Sequence, residues 1–123
     1  MVDHTAHHIP IKYVKKGWGY EKWIINKDLY CGKLLFFKKD KKCSWHMHRE
    51  KDEVFYLQSG RMIVRYSDKD ELHNAEEIIL EPGMNFYVYP GLRHQMEALE
   101  DSELFEFSTQ HFDEDSYRLV KGD

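Results

Sequence analysis

Trp45-His46-Met47-His48-Arg49-Glu50-Lys51-Asp52-Glu53-Val54-Phe55-Tyr56-Leu57-Gln58-Ser59-Gly60 is the stretch on which the reading of this chain turns. It runs His-x-His-x4-Glu-x6-Gly. In an extended strand, residues i and i+2 project from one face, so His46 and His48 share a face and Met47 takes the other. Imidazole and carboxylate together suit a borderline divalent metal. A lone His-x-His is weak evidence. The weight comes from the fixed step to Glu53, the glycine that follows, and a further histidine downstream in Gly91-Leu92-Arg93-His94.

Outward from this segment the rhythm is that of strands. Trp23-Ile24-Ile25, Tyr30 to Phe37, Ser44 to His48, Glu53 to Gln58, Arg61 to Tyr66, Glu77 to Leu80, Phe86 to Tyr89, Gln95 to Leu99 and Glu103 to Ser108 all read as strands. Turn residues stand between them, as in Asn26-Lys27-Asp28, Ser59-Gly60, Glu81-Pro82-Gly83 and Pro90-Gly91. Strands at intervals of about 8–12 residues predict an all-β sandwich or barrel, and a jelly roll hides its edges by folding two sheets over each other. Lys38-Lys39-Asp40-Lys41-Lys42 is expected as a solvated hairpin tip. Gln95–Leu99 and Glu103–Ser108 are expected to pair around Glu100-Asp101-Ser102. Only Asp113 to Val120 suggests a helix, a short one at the C-terminus. Residues 1–12, with His4, His7 and His8, read as a polar flexible leader, and 13–123 as a single domain. Leu34-Leu35-Phe36-Phe37 is apolar on both faces, whereas a barrel wall needs one, so a homodimer is expected.

Composition narrows the class. The chain has 123 residues, of which 41% are hydrophobic and 15% aromatic, enough for a working core and unlike a disordered segment. A net charge of −4 with interspersed signs leaves no footprint for nucleic acid. The apolar runs are too short to span a bilayer, and Met1 to Pro10 lacks the pattern of a signal peptide. A cytoplasmic location is therefore expected, with Cys31 and Cys43 as thiols.

The central segment resembles the first motif of the cupin superfamily, His-x-His-x3,4-Glu-x6-Gly, at His46, His48, Glu53 and Gly60. The second cupin motif, Gly-x5-Pro-x-Gly-x2-His, is matched at Gly83, Gly91 and His94, with Tyr89 at the proline position and Pro90 one residue later. The resemblance implies a double-stranded β-helix, the cupin jelly-roll barrel. Inside it His46, His48, Glu53 and His94 would hold one divalent transition metal: Zn, Mn, Fe, Ni or Co. Such a set leaves one or two positions for water or substrate, as a catalytic metal requires. Phe55 and Leu57 share parity with Glu53 and are expected to line the wall. Trp18, Trp23, Trp45, Tyr87 and Tyr89 are expected mainly as core and mouth packing.

The flanks are similar to type II phosphomannose isomerase cupins. Lys16-Gly17-Trp18-Gly19-Tyr20-Glu21-Lys22-Trp23 looks like that family's Pro-Trp-Gly-x-Tyr-Glu opening, and His46 stands where the family has glutamine. Near the end, Glu114-Asp115-Ser116-Tyr117-Arg118 resembles its Glu-Asp-Asp-x-x-Arg. On that alignment Arg118 would face a sugar phosphate, for which a guanidinium fork is suited. The competing reading is a surface arginine paired with Glu114 four residues earlier. The resemblance implies a metal-dependent sugar or sugar-phosphate isomerase, mannose-6-phosphate isomerase-like, working on a small-molecule substrate with no nucleic-acid or membrane partner. If Glu53 is a ligand, the sequence places no other carboxylate as the base. An iron-dependent dioxygenase or decarboxylase, and a non-catalytic module binding a sugar or small acid, are the alternatives.

Overall fold

Strict alternation sets the two layers of this protein. In Cys31–Phe37 every second residue, Cys31, Lys33, Leu35 and Phe37, is buried, and Glu53, Phe55 and Leu57 repeat the pattern in Glu53–Ser59. Each such strand presents one face inward and one outward. The computed structural model describes residues 5–123; His4 lies outside the described residues. Eleven strands follow in chain order: β1 Lys12–Lys16, β2 Gly19–Asn26, β3 Cys31–Phe37, β4 Trp45–Met47, β5 Glu53–Ser59, β6 Met62–Ser67, β7 Glu76–Leu80, β8 Asn85–Val88, β9 Arg93–Ala98, β10 Ser102–Ser108 and β11 Tyr117–Val120.

They form two antiparallel sheets, one of six strands in the order β1-β2-β3-β10-β5-β8 and one of five in the order β11-β4-β9-β6-β7. This is the expected all-β jelly roll. Leu35, Phe37, Phe55, Leu57, Met62, Val64, Leu80 and Leu104 make the core between them, closed at one side by Trp18 stacked on Phe37 with ring centroids 4.0 Å apart. Trp45 is fully buried elsewhere, outside this cluster. Its indole N–H donates to the Asp70 carbonyl at 2.7 Å, so the polar loop between β6 and β7 reaches over it. Both cysteines are buried free thiols, and burial pushes Cys43 up to about 12. Among the described residues, no helix is long and apolar enough to cross a membrane.

Two turns explain the glycines around the second motif. Met84 N–H donates to Glu81 C=O at 3.1 Å and Leu92 N–H to Tyr89 C=O at 3.1 Å, with φ of 94° at Gly83 and 93° at Gly91. Both have proline at the first central position and a left-handed glycine at the second, the requirement of a type II turn. Tyr89 in place of proline therefore leaves the turn intact, because Pro90 occupies the position that needs it.

Several expectations are corrected. The stretch Asp113–Val120 is not a helix: Asp113–Asp115 is a single 3-10 turn and Tyr117–Val120 is the strand β11. It adds to the open side of β4, pairing Arg118 with His46, where tertiary pairing outweighs local helical pattern. The segment 38–42 is not a hairpin tip, since it carries the chain from β3 in one sheet to β4 in the other. For the same reason β9 and β10 do not pair with each other. Lys12, assigned to the leader, begins β1.

The 3-10 turn is anchored by Asp115, whose buried carboxylate accepts the backbone N–H groups of Arg49 at 2.9 Å, Glu50 at 3.2 Å and Lys51 at 3.0 Å. Three donors left without this acceptor would each lose a charge-assisted bond. Asp115→Ala is therefore expected to lower unfolding free energy by roughly 2–4 kcal/mol, with Asp115→Asn less costly. An unchanged denaturant midpoint would show that the loop after β4 is held by other means.

Candidate metal centre

Three strands meet at one point between the sheets. His46 lies on β4 and His94 on β9, directly opposite each other in register. His48 follows just beyond β4, and Glu53 opens β5 in the facing sheet. One ring nitrogen from each of His46, His48 and His94 lies within 4.8 Å of the others. Glu53 Oε2 is 3.6 Å from His48 Nε2 and 3.5 Å from His94 Nε2.

Each imidazole is oriented by a backbone carbonyl. The Nδ1 of His46 meets Ser44 C=O at 2.8 Å, that of His94 meets Leu92 C=O at 2.9 Å, and that of His48 meets Asp115 C=O at 3.0 Å. A carbonyl only accepts, so each Nδ1 carries the proton and each Nε2 keeps its lone pair. Burial, ahead of all other causes, disfavours the imidazolium: His48 is pushed down to about 2, His94 to about 3, and His46 well below its ordinary value. The three rings are thus neutral donors at physiological pH, the state in which histidine binds metal.

The donor set fits a divalent transition ion. Among the described residues, both Glu53 oxygens and His94 Nε2 are buried without a hydrogen-bond partner, an arrangement that is costly unless something else satisfies them. A tetrahedral ion with bonds of about 2.1 Å places its ligand atoms about 3.4 Å apart, close to the 3.5 and 3.6 Å measured from Glu53.

Around this point the cavity, about 440 Å³, is walled by charged residues. Lys51 Nζ donates to Glu106 Oε2 at 3.0 Å and to His111 Nδ1 at 2.9 Å, and stands 3.7 Å from Glu53 Oε1. Burial and the nearby Glu106 raise Glu53, while Glu106, against its own burial, is held below the usual carboxylate range by Lys51 and Lys33. Burial works against the Lys51 ammonium, but Glu106 and Glu53 outweigh it and raise its pKa. The ionised pair is therefore Lys51 with Glu106. Ser108 also donates to Glu106 Oε2 at 3.0 Å, and among the described residues Oε1 has no hydrogen bond.

Sequence reading placed His46, His48, Glu53 and His94 and missed the wall. The available signal was parity: Glu106 alternates with buried Leu104 and Ser102, and Lys33 with Leu35 and Phe37. Arg118 lines the cavity beside His46, exposed and without an ion pair to Glu114. Trp18, Trp23 and Phe55 also line it, whereas Leu57 and Trp45 are buried away from it and Tyr87 and Tyr89 are exposed.

Comparison with known proteins gives the frame a family. The model described as "Cupin domain" matches residues 34–107. Among solved structures, the capsular polysaccharide assembling protein CapF from Staphylococcus aureus aligns with a TM-score of 0.77 at 19% identity, over 90% of this chain and 34% of CapF. KdgF from Halomonas sp. aligns with a TM-score of 0.71 at 19% identity, over 84% of this chain and 91% of KdgF. Oxalate decarboxylase from Bacillus subtilis aligns with a TM-score of 0.78 at 17% identity, over 95% of this chain and 34% of that one. At these identities the likeness is one of fold, and the chain spans about a third of CapF and of oxalate decarboxylase. No curated protein matches the chain. The family model extends over more than half of the sequence and coincides with the barrel that carries the histidines, and the chain belongs to the cupin domain family.

Proposed function

We propose that this protein is a metal-dependent enzyme acting on a sugar or sugar phosphate, interconverting aldose and ketose in the manner of the phosphomannose isomerases that its flanks resemble. The observation that carries the reading is the convergence of three neutral imidazoles beside a carboxylate with no hydrogen bond, at the floor of a cavity of small-molecule size. His46, His48, His94 and Glu53 would hold Zn, Mn, Fe, Ni or Co, which when bound supplies Lewis acidity toward vicinal substrate oxygens.

The remaining work falls to the wall. Glu106 supplies the carboxylate that the sequence did not place: its ionised state is fixed by Lys51, and its Oε1 has no hydrogen bond to give up. In this reading Oε1 takes the proton from the carbon bearing the hydroxyl and returns it to the former carbonyl carbon. The hydroxyl proton moves to the former carbonyl oxygen, so the exchange balances without a redox partner. Lys51 remains an ammonium and offsets negative charge as it develops on the enediol oxygens. Arg118, at the cavity wall, is suited to a phosphate carried by the substrate.

The outer face of the six-stranded sheet supports a homodimer. Tyr13, Tyr20, Tyr87 and Phe107 are exposed there, with Phe36 stacked on Tyr20 and Phe105 on Phe107. Exposed aromatic surface of this extent marks an interaction face, and a second copy of the chain is the proposed occupant.

Three outcomes are expected. Purified protein carries about one equivalent of divalent transition metal by elemental analysis, His46→Ala loses it, and chelation lowers the wild-type Tm by several degrees; metal-free wild-type protein with an unchanged Tm overturns the site. With hexoses and hexose phosphates, Glu106→Gln lowers kcat by about 10²–10⁴ at unchanged metal content. CO2 release or O2 uptake in place of isomerisation moves the assignment to the decarboxylase or dioxygenase class. Light scattering gives a dimer mass that Phe107→Lys reduces to monomer, and a monomeric wild type removes the dimer.

A further inference from the structure

Lys33 differs from the other buried charges of the cavity. It is 2% exposed and lies on the inner face of β3, in line with Leu35 and Phe37. Its Nζ is 3.8 Å from Glu21 Oε1 and 4.1 Å from the centre of the Trp23 ring, and it makes no hydrogen bond among the described residues. An ammonium has three donors, and holding one out of water without acceptors is costly. Its acidic neighbours each have another cation as well, nearer or further away. Glu106 has Lys51 at 3.0 Å. Glu21 accepts the Trp23 indole N–H at 2.8 Å on Oε1 and faces Lys16 at 4.0 Å through Oε2.

We propose that Lys33 is the anion anchor of this cavity, binding the carboxylate of an acidic sugar derivative whose other oxygens reach the histidine cluster. This rests on the metal-cupin reading and names the substrate class more narrowly within it. The charges inside the cavity favour a carboxylate over a phosphate. Lys51 is spent on Glu106 and Lys16 faces Glu21, so among the described residues Lys33 is the buried ammonium of this cavity left to a ligand. A single ammonium is matched by a monoanionic group, whereas a phosphate brings about two charges. Lys12 and Arg118, exposed cations lining the same cavity, add a positive rim that favours entry of an anion.

Isothermal titration of D-glucuronate, D-glucose and inorganic phosphate tests this, on the protein as purified and after chelation. Glucuronate is expected to bind at least about 10-fold more tightly than glucose. Lys33→Met should weaken glucuronate by roughly 10- to 100-fold, the range of one charge-assisted hydrogen bond, and leave metal content unchanged. Lys33→Gln provides the same reading should the methionine variant fail to fold. No saturable glucuronate binding, equal affinity for glucuronate and glucose, or a variant that keeps the preference overturns the proposal. Tighter binding of phosphate overturns the choice of carboxylate. Absence of metal would defeat the reading of the centre alone, because the wild-type to Lys33→Met ratio is read in chelated protein too; a ratio near one there defeats the anchor itself.

Discussion

Three hydrogen bonds from histidine Nδ1–H groups to backbone carbonyls set the chemistry of this protein. Those of His46 and His94 go to the carbonyl two residues back on their own chain segment, Ser44 and Leu92, and the two strands are paired at these histidines. The third runs from His48 to Asp115, far along the sequence. Each bond fixes a tautomer and aims an Nε2 lone pair inward, the orienting role of the outer shell in metal sites. The strands, turns and terminal segment can be understood by how they hold these carbonyls in place.

The terminal segment shows this dependence. Asp115 serves twice: its carbonyl orients His48, and its carboxylate gathers the backbone of Arg49, Glu50 and Lys51. Lys51 is thereby delivered to Glu106 and to the neighbourhood of Glu53. Asp115 thus couples the orientation of His48 to the position of the buried ammonium beside it. A helix over 113–120 could not pair with β4 as β11 does, and this is the physical reason the helical expectation failed.

Legibility in the sequence followed the range of the information. His46, His48 and Glu53 were readable because strand period and motif spacing are local, and His94 because its turn is built from Pro90 and Gly91. The sheet partners of β9 and β10 were not readable, since a short turn looks the same whether it joins neighbours or crosses between sheets. Lys33 and Glu106 were readable by parity but carry charge, and a charged residue in a strand is ordinarily assigned to solvent. The inward placement is possible because Lys51 meets Glu106 and Glu21 stands near Lys33, compensation that no local pattern reveals.

The two sheets contribute different groups to the cavity. The five-stranded sheet and the loop after β4 contribute the neutral donors His46, His48 and His94, with the cations Arg118 and Lys51 beside them, in a frame shared with proteins below 25% identity. The six-stranded sheet contributes the ionisable wall: Glu21 on β2, Lys33 on β3, Glu53 on β5 and Glu106 on β10. Grip on a metal requires only that the imidazoles converge, and many side chains are compatible with that. Choice among substrates requires that the opposite wall match the substrate's charge and proton chemistry. On the proposed reading, selectivity would reside on the sheet that carries Lys33 and Glu106, and exchange of those residues would alter what is bound without dismantling the histidine cluster.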